Sequence, residues 1–191
     1  MLFYVKRYLL LEIAVTLVLG GAAIWGIRAY EVSYSLEFSK RGVVLGFLGA
    51  LWLGLWTGGV QQGYRVLKGQ KYAEGLTSSL ANQFENATPA QMLLGGLTAA
   101  FGEELFFRGF IQGAFGLVAG AVLFMIAHIG KQDIRIISYW SIFQGLYLGL
   151  FYLYSGNLLV PMLAHGLFDI GGMLYFRRFT QQQAEKSICE S

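Results

Sequence analysis

Charge is scarce in this sequence. Only 13% of its 191 residues are Asp, Glu, Lys or Arg, while 55% are hydrophobic and mean hydropathy is +0.53. A soluble domain carries about twice that charged fraction, so the composition excludes an ordinary water-soluble globule and points to the membrane. The formal net charge of +3 is small and the basic residues are dispersed, which argues against a nucleic-acid partner. A single cysteine, Cys189, excludes an internal disulfide. It stands third from the last residue, so a prenylation signal, which needs it fourth, is not expected. Internal repeats and low-complexity linkers are also missing, and the chain reads as one domain.

What is present is a series of apolar runs separated by polar connections. Runs at about 8–27, 42–60, 89–111, 115–128, 136–154 and 158–176 predict a polytopic, all-α transmembrane bundle of about six spans. The first follows Lys6 and Arg7 but exceeds a typical signal-peptide core, so it is expected to be a retained span, with Glu12 its one charge. Between the second and third, Arg65, Lys68, Lys71, Glu74 and Glu85 are interleaved with Val66, Leu67, Leu76, Leu80 and Phe84, which predicts a short helix on the membrane surface. Thr88-Pro89-Ala90-Gln91 reads as a helix start, with a threonine N-cap, proline in the first turn and glutamine completing a capping box. Lys131, Asp133 and Arg135 form a later connection, and Ser155-Gly156-Asn157 a tight turn. Arg177 and Arg178 are expected to stop the last span, leaving a polar, frayed tail. With six spans, Lys6, Arg7, Arg65, Lys68, Lys71, Lys131, Arg135, Arg177, Arg178 and Lys186 share one side. Arg28, Lys40 and Arg41 lie opposite, and ten against three puts both termini in the cytoplasm.

Against that background Phe101-Gly102-Glu103-Glu104-Leu105-Phe106-Phe107-Arg108 is anomalous. Charges at bilayer depth are costly, face the bundle interior and mark sites. On a helix Glu104 and Arg108 are four apart and share a face, while Glu103 points about a third of a turn away. One glutamate can pair with the arginine and the other stays available for chemistry. The bland alternative is a buried structural ion pair. Both histidines also lie in apolar surroundings. His128 ends Phe124-Met125-Ile126-Ala127-His128, and His165 precedes Asp169 by one turn. Either alone is as well explained as a satisfied core group. Three separate spans that each supply ionisable groups, flanked by Gly95, Gly96, Ala99, Ala100, Gly102, Ala127, Ala164 and Gly166, suggest convergence at one interior point.

Neither an activated serine nor an activated cysteine is available, so water is the expected nucleophile, with a carboxylate or histidine as general base. The His-Glu-x-x-His signature of soluble zinc proteases is absent. A zinc ion held by His128, His165 and Glu103 is compatible with these residues but not required by them.

The ordered set of a Glu-Glu-x-x-x-Arg (103–108), a Phe-x-x-x-His (124–128) and a His-x-x-x-Asp (165–169) resembles the CPBP, or Abi, family. That family comprises the type II CAAX prenyl endopeptidases and the bacteriocin-processing and immunity proteins. Arg108-Gly109-Phe110 and the Gly156-to-Pro161 lead-in match its flanks, and the resemblance covers about 89–176. It implies an intramembrane endopeptidase in which Glu103 and His128 activate water. His165 and Asp169 would face the oxyanion, with Glu104 and Arg108 holding the site's shape. The family is often labelled metalloprotease. Asp169 departs from the asparagine of the prenyl endopeptidases and cannot donate a hydrogen bond when ionised.

The expected organisation is two spans and an interfacial segment (1–88), a catalytic four-span core (89–176) and a polar tail (177–191). The expected setting is a prokaryotic inner membrane, and the expected partner a peptide or protein with a hydrophobic segment. Prenylated substrates are not favoured there. The rival readings are a catalytically silent immunity or scaffold protein and a proton-coupled carrier; the latter would have to oligomerise and shows no inverted repeat.

Overall fold

A computed structural model describes residues 2–81, 84, 87–129 and 134–189, and among them there is no strand. Glu85, Lys131 and Asp133 lie outside the described residues, as does the side chain of Glu12. The helices are α1 (Leu2–Ala29), α2 (Lys40–Lys68), α3 (Gln70–Ala81), α4 (Pro89–Glu104), α5 (Leu117–Ala127), α6 (Ile134–Ser155) and α7 (Leu159–Cys189). A π-helical segment, Leu105–Gln112, continues α4, and one α-turn, Gly113–Phe115, follows it. Two helices, Lys40–Lys68 and Leu159–Gln183, are long and apolar enough to cross a membrane, and Ile13–Ala29 and Leu117–Ala127 are shorter apolar helices.

The start of α4 follows its sequence signal. Thr88 Oγ accepts from the Gln91 amide at 3.3 Å while Gln91 Oε1 accepts from the Thr88 amide at 2.8 Å, so two otherwise unpaired N–H groups are satisfied. Two boundaries differ from expectation. Helix α2 continues to Lys68, so the predicted surface helix reduces to α3. Arg177 and Arg178 do not end α7, which runs on to Cys189. Arginine is a good helix former, so a charge pair can mark the limit of an apolar run without ending the helix.

Small residues set the helix distances. A Cβ at Gly46 of α2 would lie 2.6 Å from Leu163 Cβ of α7, and one at Gly96 of α4 would lie 3.3 Å from the Gly166 carbonyl. A Cβ at Gly102 would stand 3.0 Å from Thr16 Cα, so α1 backs α4 immediately beside Glu103. Gly95, by contrast, has open space around it. Helix α1 also packs Ala23 and Ile27 against Leu105, Phe110 and Ile111 of the π segment. The α1–α2 connection is tied to the α6–α7 turn. Leu158 N–H donates to Ser35 O at 2.8 Å, and Asn157 exchanges hydrogen bonds with the Glu37 backbone at 3.1 and 2.7 Å. Gly156 turns there with φ +64°, a conformation that other residues rarely adopt. These contacts fix the entry of α7, and with it the depth of His165.

Candidate active site

Glu103 and Glu104 are the last residues of α4, and Arg108 is the fourth residue of the π segment. A continuous α-helix is expected over 89–111; the structure instead changes to i→i+5 pairing at Leu105. Such segments are rare and often accompany functional sites. Seven of its eight residues are buried, Phe106 being the exception. In the wider π turn, residues four apart lie almost above one another, and Arg108 Nη1 donates to Glu104 Oε1 at 2.7 Å. Both side chains are buried, Arg108 at 1% and Glu104 at 0% exposure.

Glu104 joins three elements. The same Oε1 receives His165 Nδ1 of α7 at 2.8 Å, while Arg108 Nη2 donates to Gly145 O of α6 at 3.2 Å. On its other side His165 Nε2 lies 3.3 Å from Asp169 Oδ2. Each imidazole nitrogen thus faces a carboxylate oxygen, an arrangement that needs a proton in each gap. Phe124 of α5 is fully buried at the centre. Arg108 Cζ sits 4.5 Å above its ring, and the ring centroids of His128 and His165 are 4.3 and 5.8 Å away. The aromatic residue of the second motif therefore packs against all three basic groups.

Glu103 and His128 form a second, more open pair. His128 Nδ1 lies 2.8 Å from Phe124 O, and a carbonyl can only accept, so that nitrogen carries the proton. In the neutral ring Nε2 is then an acceptor, and it lies 3.6 Å from Glu103 Oε2. Glu103 Oε2 itself is buried without a hydrogen-bond partner. Two acceptors at this spacing suit one water molecule that donates a hydrogen to each. Glu103, His128 and Asp169 are 16%, 35% and 32% exposed at their side chains, whereas Glu104, Arg108 and His165 are sealed. Helix α5 has 11 residues, so at about 1.5 Å per residue it is only half a bilayer long and ends at His128.

The zinc set suggested by the sequence does not fit this arrangement. His165 has both nitrogens committed to carboxylates, leaving no lone pair for a metal without breaking the contact to Glu104 or Asp169. Among the described residues no group of three His, Cys, Asp or Glu side chains could hold a metal ion. Two participants are not singled out by the sequence pattern: Gly145, whose carbonyl receives Arg108, and Gln112, which bonds Gly149 O at 3.0 Å. Gln112 offers a signal in retrospect, being one turn beyond Arg108 in an apolar run.

Among the described residues the chain is all-helical, with two helices long and apolar enough to cross a membrane and with Glu104, Arg108 and His165 buried between its helices. Residues 85–171, a little under half of the chain, match the family described as type II CAAX prenyl endopeptidase Rce1-like. The segment contains all three motifs. Bacillus subtilis (strain 168) YpbD, described as uncharacterized, is 38% identical over 78 residues, which are 38% of this chain and 39% of YpbD. The chain thus matches well under half the length of that relative. No solved structure matches.

Proposed function

We propose that the chain is an intramembrane endopeptidase that hydrolyses a peptide bond with a water activated by Glu103 and His128. The observation that carries this reading is the pairing of Glu103 Oε2 with His128 Nε2 at 3.6 Å, both of them acceptors, one buried and unpartnered. Water held there donates to both groups. As its oxygen attacks the scissile carbonyl carbon, Glu103 takes the proton and later delivers it to the leaving amine. The carbonyl oxygen becomes the oxyanion. His165 Nε2–H, which faces Asp169 at 3.3 Å, is the donor that would be offered to it, with the Nδ1 contact to Glu104 at 2.8 Å keeping the ring oriented. Glu104 and Arg108 hold His165 and the π segment in place and take no proton. In this reading 89–176 is the catalytic core, 1–88 supports it, and 177–191 lies outside the chemistry.

The substrate class that suits a half-open site inside an apolar bundle is a secreted or membrane-anchored precursor with a hydrophobic segment, in a prokaryotic inner membrane. Comparing membrane-precursor termini by mass spectrometry in cells with and without the chain should identify the substrate. Purified chain should then cleave it in vesicles and keep most of its activity in a strong chelator. Loss of activity restored by zinc would mean that His165 rearranges to bind metal. If no precursor is processed in either assay, the silent-scaffold reading replaces this one.

The six-span arrangement with cytoplasmic termini belongs to the same proposal. Reporter fusions after Lys71, Arg135 and Arg178 should read as cytoplasmic, and one near Glu37 as external. A cytoplasmic signal at Glu37 would rule out this topology.

A further inference from the structure

Gln112 is a primary amide buried to 5% exposure, in a segment where every other buried residue except Arg108 is apolar or glycine. Its Nε2 donates to Gly149 O at 3.0 Å, and the amide orientation is forced because only an N–H can face a carbonyl. One turn earlier, Arg108 Nη2 donates to Gly145 O at 3.2 Å. Both pairs are 37 residues apart in sequence, so the π segment and α6 meet in one register through two rungs. The receiving carbonyls belong to a helix, so each uses a second lone pair.

Glycines let α5 approach α6 at both positions, and Gly149 also leaves room for the Gln112 amide. A Cβ at Gly145 would lie 3.1 Å from Ala121 Cα, and one at Gly149 would collide with Leu117 of α5 and lie 2.6 Å from Gln112 Oε1. The geometry points to Gln112 as a positioning residue for the proposed protease: it clamps the far end of the π segment to α6, and so holds Arg108, Glu104 and His165 in register behind Glu103. A buried polar group in an apolar bundle is costly unless it is paired, so the rung opposes any rotation of the segment that would separate Gln112 from Gly149. A return to α-helical winding is such a rotation, and it would change the direction of Arg108 relative to Glu104.

This inference rests on the protease reading for its effect on rate, but not for its effect on the segment. The test compares full-length wild type with Gln112→Met, which keeps the length and removes the donor. Hydrogen–deuterium exchange in detergent should speed up in peptides covering 105–112 and stay unchanged in α2 and α3. Turnover of the precursor should fall by about ten- to a hundredfold in kcat with KM unchanged, as expected for misplaced catalytic groups. Unchanged exchange in 105–112 together with normal kcat would overturn the assignment. If wild type itself cleaves nothing, the protease reading has failed, while the exchange comparison still decides the clamp. Should Gln112→Met not insert, Gly149→Ala, which crowds Gln112 Oε1 without removing the amide, must give the same local rise in exchange, and its absence overturns the proposal.

Discussion

Glu103→Gln is expected to reduce precursor cleavage by roughly a hundredfold or more while leaving the protein inserted and folded. Glutamine keeps the shape of the side chain and its capacity to accept from water, but it cannot take the proton. The structure gives the fold little reason to notice the change. Glu103 makes no hydrogen bond through Oε2, the ionisable group beside it is the neutral His128 at 3.6 Å, and it is the more exposed of the two glutamates. A neutral amide is also cheaper to bury than a carboxylate. The measurement is initial cleavage rate beside thermal stability in the same detergent. Normal cleavage by the variant would remove Glu103 from the chemistry. Lost stability with no cleavage by wild type would favour the scaffold reading.

Glu104→Gln is expected to behave in the opposite way, with the main loss in stability. Its Oε1 receives both Arg108 at 2.7 Å and His165 at 2.8 Å, and all three side chains are sealed from solvent. Removing one partner leaves a buried guanidinium without its counter-charge, at a cost of roughly 3–5 kcal/mol. The double variant Glu104→Gln/Arg108→Met removes both charges and should recover part of that loss. Activity should fall in both, since His165 loses its charged partner in each. If Glu104→Gln melts like wild type, Glu104 does not hold the π segment and α7 to α4. If the double variant is less stable than the sum of the two single changes, the charges are not compensating each other.

The contrast between these adjacent glutamates was partly visible in the residues alone. Spacing of four predicted that Glu104, and not Glu103, would meet Arg108, and this rests only on helical periodicity. Which histidine each glutamate meets was not visible. Glu104–His165 and Glu103–His128 join residues from different helices, and their choice depends on how α5 and α7 cross α4. The zinc set could be written down from residue types, but whether it can form depends on the direction of two imidazole nitrogens.

By itself the sequence determined the all-helical class, the apolar runs, the capping box at Thr88, the turn at Gly156 and the three motif groups. These follow from local periodicity, local capping chemistry and the cost of charge in an apolar run, and none needs a distant residue. Only the tertiary structure decided that the run after Glu104 winds as a π segment, that α7 continues through Arg177 and Arg178, and that Gln112 and Gly145 join the network. For the buried polar groups the physical reason is that their partners lie tens of residues away in the chain, as Gly145 does from Arg108 and Gly149 from Gln112. For α7 it is local: arginine is a good helix former, so the end of the apolar run does not mark the end of the helix.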